Sequence, residues 1–232
     1  MKVSMSQKMR TAQWYTARVI HKRTPKILLF DVDGVLFNTD EVYFAFLKET
    51  LKAEGISIDE QFFMEHHYDD CIDDLGLDSQ TKSRIFASFC ARYYSDEILR
   101  HVRMKDGVLP VLDSLSKAFH LATSSGESEA QIKHYLDHFG LAQYFSFVGH
   151  GGLVEGRKSN PAYFHTIARH FGVEPGECLH VGDAPYDQQA LAAGVPVVII
   201  PTRFTAQQSF DPRCIVLKNV AELPEFLKVQ RP

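Results

Sequence analysis

The sequence predicts an α/β fold in which a parallel sheet carries helices on both faces and a small helical lobe is inserted after the first strand. Three observations carry that prediction. Short apolar runs that stop at polar or glycine turns recur along the chain, segments of helical periodicity separate them, and residues 40–104 show that periodicity with almost no strand signal.

The first strand is read at Lys26–Phe30, where Ile27-Leu28-Leu29-Phe30 runs into Asp31-Val32-Asp33-Gly34. An unbroken short apolar run closed by a Gly turn suits a strand buried on both faces. The same grammar returns at Phe119–Ala122 before Thr123, Phe145–Val148 before Gly149, Cys178–Val181 before Gly182-Asp183, and Pro196–Ile200 before Pro201. Helices are expected between these strands at Gly107–Lys117, Ser128–Phe139, Pro161–Phe171 and Tyr186–Ala193. In the inserted lobe, Tyr43, Leu47 and Leu51 recur every fourth residue in a helix that stops near Gly55, and Ile85, Phe89 and Tyr93 repeat the spacing. The expected organisation is a basic extension over residues 1–25, a sheet domain from 26–39 and 105–232, and a helical lobe over 40–104. Aromatic residues of the lobe read as core rather than as ligand-binding groups.

A chain of 232 residues, 45% hydrophobic, can bury one substantial core and a small second lobe. The net charge of -4 gives no reason to expect nucleic acid, so an anionic substrate would need local positive charge. Cys71, Cys90, Cys178 and Cys214 lie far apart without zinc-ligand spacing and read as reduced thiols of a cytoplasmic protein. No apolar run has the length of a membrane span. The first 26 residues carry Lys2, Lys8, Arg10, Arg18, Lys22, Arg23 and Lys26 and no acid, with Trp14, Tyr15, Val19 and Ile20 interspersed. That composition suits an extra helix or a frayed leader docked on the sheet domain, with a targeting peptide or an anchor on an anionic surface as the lesser alternative.

Chemistry-bearing residues fall where strands end. In a parallel sheet the ligand sits beyond the carboxyl ends of the strands, so stations far apart in sequence are brought together there. Asp31 and Asp33, one residue apart at a strand end, supply a nucleophile and an acid/base group on the leaving-group side, which splits phosphate transfer into two displacements. A carboxylate attacking a phosphate dianion needs positive charge nearby. Lys158 supplies a cation, and magnesium suits Asp31, Asp183 and the backbone carbonyl of Asp33. Asp187 is placed to align Lys158 or a metal-bound water, and the Thr123 hydroxyl with the Ser124 amide to meet the non-bridging phosphoryl oxygens.

In their order and placement these residues resemble the haloacid dehalogenase-like hydrolase superfamily, over nearly the whole chain from Lys26 onward. Asp31-Val32-Asp33-Gly34-Val35 is similar to its first motif, Thr123 to its second, Lys158 to its third, and Gly182-Asp183-Ala184-Pro185-Tyr186-Asp187 to its fourth. The helical insertion resembles the small cap of the branch that includes phosphoglycolate phosphatase and beta-phosphoglucomutase. The resemblance implies a Rossmann-like core, a mobile cap that excludes water, magnesium dependence and attack by Asp31. Asp33 favours phosphate chemistry over carbon–halogen cleavage. Two departures stand out: Ser159-Asn160 separate Lys158 from Pro161, and Ala184-Pro185 follow Asp183 where the family commonly has a small hydroxyl residue.

The expected function is a phosphatase of a small phosphorylated metabolite, acting as a monomer or small homo-oligomer. A sugar phosphomutase using the same stations is the alternative, and a non-catalytic binding protein is the reading from another class. Within the cap, Glu65-His66-His67-Tyr68-Asp69-Asp70 reads either as a substrate contact or as a solvated helix end.

Overall fold

The computed structural model describes residues 24–66 and 70–230. The basic extension over residues 1–25 therefore lies almost wholly outside the described residues, as do His67, Tyr68 and Asp69.

Six parallel strands, β1 (Ile27–Phe30), β2 (His120–Ser124), β3 (Phe147–Gly149), β4 (Cys178–Gly182), β5 (Val197–Ile199) and β6 (Ile215–Val216), form one sheet in the order β3-β2-β1-β4-β5-β6. The chain thus builds outward from β1 on one side and returns to β4 on the other. Where the order reverses, a crevice opens beyond the strand ends. Phe30 pairs with Thr123 on one side and Val181 on the other, and the Asp31 amide donates to the Val181 carbonyl at 2.8 Å. Asp31 and Asp183 consequently flank the crevice.

Alternation along β1 explains its continuous apolar run. Leu28 and Phe30 face a cluster with α5 (Val108–Leu115), α6 (Glu129–His138), α8 (Leu223–Gln230) and the lobe, whereas Ile27 and Leu29 face a second cluster built on α7 (Ala162–His170). Burying each such side chain stabilises the fold by about 1.5–3 kcal/mol. The five strands anticipated are present within one or two residues, but β2 runs on through Thr123 and Ser124. The segment expected to be a helix at Tyr186–Ala193 is wound as a 3-10 helix over Pro185–Ala193, ended by Gly194 in the left-handed region.

Between β1 and β2 the lobe holds α1 (Thr39–Ala53), α2 (Glu60–Glu65), α3 (Asp70–Asp73) and α4 (Ser79–Tyr93). Asp59 caps α2 and Asp78 caps α4 through backbone amides of the first turn. Its interior is aromatic: Tyr43 packs against Phe89 and Tyr93 with ring centroids 4.5 and 5.4 Å apart. The two crossings into the lobe are tied together. The Asn38 amide donates to the Arg103 carbonyl at 3.1 Å, the Arg103 amide to the Asn38 side chain at 2.6 Å, and the Lys105 amide to the Leu36 carbonyl at 2.9 Å. A loop after β5 also reaches the lobe. Phe204 packs against Phe44 and Phe63, at 5.6 and 5.0 Å, while Arg203 pairs with Glu60 at 2.8 Å and Glu41 at 3.4 Å.

Candidate active site

The crevice opens into a cavity of about 960 Å³ whose lining includes Asp31, Asp33, Lys158, Asp183 and Asp187. Backbone geometry brings the carboxylates this close. Gly34 turns the chain after β1 at φ +68°, and a Cβ there would meet Asp183 Oδ2 at 2.4 Å. At Gly182 a Cβ would meet Asp187 Cγ at 2.1 Å, so the end of β4 also requires glycine.

Lys158 sits in a 3-10 turn, Arg157–Ser159, beyond β3, and its side chain is 4% exposed. Its ammonium donates to Asp31 Oδ2 at 2.5 Å and to Asp187 Oδ1 at 2.8 Å. Burial opposes the charged lysine, but the carboxylates of Asp187 and Asp31 outweigh it and hold Lys158 protonated well above its ordinary range. Asp187 is saturated: its other oxygen accepts from the amides of Asp183 (2.9 Å) and Ala184 (3.1 Å), and His180 Nε2 lies 2.8 Å from Oδ1. Burial would raise Asp187, yet Lys158 and His180 hold it well below the usual carboxylate range. His180 itself is driven toward its neutral form by burial, so its Nε2–H donates to Asp187.

Asp31 and Asp183 show the opposite balance. Burial, with the nearby carboxylates of Asp187 and Asp33, pushes Asp31 up against the pull of Lys158. Burial together with Asp187, Asp31 and Asp40 raises Asp183. Asp183 Oδ2 is buried without a hydrogen-bond partner among the described residues, and its carbonyl accepts from Thr205 Oγ1 at 2.7 Å. Oxygens of Asp31, Asp183 and Asp187 lie within 4.8 Å of one another. Crowded buried carboxylates facing one ammonium, one oxygen of them unpartnered, form a donor set that fits a divalent cation. Because Asp187 is committed to four donors, Asp31 and Asp183 are the carboxylates left for that ion.

Asp33 is raised by burial, tempered by Thr39 and Lys158, and its Oδ2 lies 3.4 Å from the Ser125 hydroxyl. The Thr123 hydroxyl donates to the Gly149 carbonyl at 3.1 Å, and Ser124 is buried beside Tyr163. Beyond β2 the cavity wall is made by Gly126, Glu127 and Ser128. The lobe contributes Tyr43, Tyr93 and Tyr94. His66 is turned back on its own helix, with Nδ1 2.8 Å from the Phe62 carbonyl and its ring stacked on Phe62.

Sequence reasoning missed His180, Thr205, Asp40 and Arg157. His180 had a signal, being a titratable residue inside an otherwise apolar buried strand. Asp40, which the sequence places in the lobe, is buried in the first turn of α1 and lines the cavity. Thr205 lies on a loop whose approach to Asp183 follows only from the three-dimensional path.

A doubly wound sheet with buried carboxylates and a buried lysine at its switch point is a site equipped for hydrolysis through a carboxylate. The family model for haloacid dehalogenase-like hydrolases matches residues 28–200, and the chain belongs to that family. Phosphoglycolate phosphatase of Rhodospirillum rubrum is 28% identical over 226 residues, covering 90% of this chain and 93% of that protein. Phosphoglycolate phosphatase of Thiobacillus denitrificans is 32% identical over 130 residues, 54% of this chain and 57% of that protein. In fold, the chain is similar to a crystal structure described as a predicted phosphoglycolate phosphatase from Haemophilus somnus, with a TM-score of 0.75 at 20% identity over 88% of this chain and 98% of that one.

Proposed function

We propose that this protein is a magnesium-dependent phosphatase of small phosphorylated metabolites that passes the phosphoryl group through Asp31. The observation that carries the reading is the buried lysine bridge, 2.5 Å to Asp31 and 2.8 Å to Asp187, at the floor of a cavity also lined by Asp33 and Asp183. Lys158 orients Asp31 and lowers the repulsion an incoming dianion meets. An Asp31 oxygen attacks phosphorus, the bond to the leaving oxygen breaks, and Asp33 gives that oxygen its proton. Asp33 then takes a proton from water as the water oxygen attacks phosphorus. The bond to Asp31 breaks, releasing inorganic phosphate. Asp31, Asp183 and the Asp33 carbonyl would hold magnesium, which would supply charge neutralisation for the phosphoryl oxygens.

Residues 40–104 act as a cap in this reading, since Tyr43, Tyr93 and Tyr94 line the same cavity as the carboxylates. A cavity of about 960 Å³ suits a metabolite rather than a macromolecule. Cys71, Cys90, Cys178 and Cys214 form no disulfide among the described residues, which fits a reducing compartment, the cytoplasm.

Phosphate release from a panel of phosphorylated metabolites, with and without magnesium and with Asp31→Asn alongside, tests the proposal. Release that needs both the metal and Asp31 supports it. Interconversion of sugar phosphates without net release of phosphate overturns it in favour of a mutase.

A further inference from the structure

Two cations, Lys158 and Arg157, line the cavity among the described residues, and the chemistry above uses only the first. Lys158 is spent on Asp31 and Asp187. Arg157 is exposed, and its guanidinium has no hydrogen-bond or carboxylate partner among the described residues. Arg84, Arg92, Arg203 and Arg213 are each paired with a carboxylate, and the other described arginines without one, Arg100, Arg103 and Arg169, do not line the cavity.

Its backbone sets Arg157 apart as well. Among the described residues it is the non-glycine residue with positive φ, at +51°, directly after Gly156 at +82°. L-residues with a long side chain adopt that region at a cost that glycine escapes, and such outliers gather at ligand sites. The conformation is locked: its amide donates to the Val154 carbonyl and its carbonyl accepts from the Asn160 amide, both at 3.2 Å. One turn therefore drives Lys158 into the floor and stations Arg157 on the wall.

We propose that Arg157 is a specificity-determining residue that binds a second anionic group of the substrate, a carboxylate or a further phosphate, away from the phosphoryl group that Asp31 receives. The proposal rests on the phosphatase reading and extends it to the substrate's other end. A guanidinium presents a planar fork of donors that matches either anion with two parallel hydrogen bonds. The remaining charge on the wall is acidic, with Asp33, Asp40, Glu127 and Asp183 among the lining residues, so among the described residues Arg157 is the cation left to face an anionic tail. Tyr43, Tyr93 and Tyr94 enclose the neutral body between the two ends.

The test compares 3-phosphonopropionate and 1,2-ethylenediphosphonate, which carry a second anion, with propylphosphonate, which does not. Binding is measured by calorimetry in saturating magnesium for wild type, Arg157→Gly and Arg157→Lys. The glycine variant relieves the backbone strain, so the fold is kept while the guanidinium is lost. Wild type is expected to prefer the two-anion probes by about tenfold or more, a preference that collapses in Arg157→Gly and is partly kept in Arg157→Lys. The two doubly anionic probes separate a carboxylate site from a phosphate site. In turnover, the kcat/KM loss in Arg157→Gly should be about tenfold larger for phosphorylated acids than for neutral-tailed esters, and carried by KM. No preference in wild type, or one that survives in Arg157→Gly, overturns the proposal. Because binding is read without turnover, wild type that releases no phosphate would count against the phosphatase reading alone.

Discussion

Around the sheet end, Asp31, Lys158, Asp183 and Asp187 are all buried, whereas in the helical lobe Arg84–Glu54, Arg92–Glu97 and Lys82–Asp73 pair in reach of solvent around an aromatic interior. The two regions wall one cavity by opposite means. A buried charge needs a partner at a fixed distance, so every sheet-end group is held by backbone register, by a required glycine or by another charge. The lobe is held by rings in van der Waals contact, which tolerate exchange of shape. The charged wall of the cavity is accordingly fixed by the sheet end and its aromatic wall by the lobe.

Lys158→Met is the sharpest way to break that contrast. Removing the ammonium leaves Asp31 and Asp187 buried without it, with an expected loss of about 3–5 kcal/mol in urea unfolding. Phosphate release should fall by about 10²–10³-fold in the molecules that remain folded. Phe204→Ala probes the joint between the regions: a cavity among Phe44, Phe63 and the loop after β5 should cost about 3 kcal/mol, read in the same titration. Its kcat per folded molecule should fall far less than in Lys158→Met, since no sheet-end charge is touched.

Metal dependence sharpens the sheet side. Asp31 and Asp183 have folded pKa values raised above the unfolded carboxylate value of about 3.9, so without metal their contribution is present below that pH and is lost as pH rises through the folded values. A divalent cation held there would replace the lost protons. The rise in Tm on adding magnesium should therefore grow from about pH 4 toward neutrality, and an equal rise at every pH would place the ion elsewhere. Asp187 has the opposite sign: held low by Lys158 and His180, its contribution is present above the unfolded value and lost in acid. The smallest effect belongs to the lobe surface. Arg84→Ala removes a pair whose side chains are 57% and 30% exposed and should leave the urea midpoint nearly unmoved; a shift as large as that of Lys158→Met would erase the distinction.

The sheet was legible because β1, β2, β4 and β5 are apolar runs that stop at polar residues, and a strand buried on both faces leaves that trace. β6 left none: two residues, Ile215 and Val216, at the sheet edge are too few to show a period. Asp31, Asp33, Lys158, Asp183 and Asp187 could be singled out because each stands at or beyond a strand end. Asp40 could not, because helical periodicity hides a buried carboxylate in a first turn. Nor could the use of the Thr123 hydroxyl on Gly149 be foreseen, since it depends on β2 running two residues further beside β3.

The paired crossings at Leu36–Asn38 and Arg103–Lys105 bear on how the chain reaches this structure. Along the sequence, β1 and β2 are separated by roughly 90 residues, a long loop to close before their parallel pairing yields anything. Once Asn38 and Arg103 have joined, the path from β1 to β2 through that junction is on the order of two dozen residues, and the lobe becomes a closed side loop. The junction acts as a topological shortcut: it lowers the effective contact order of the central strand pair, so the most sequence-distant step in building the switch point is the later arrival of β4.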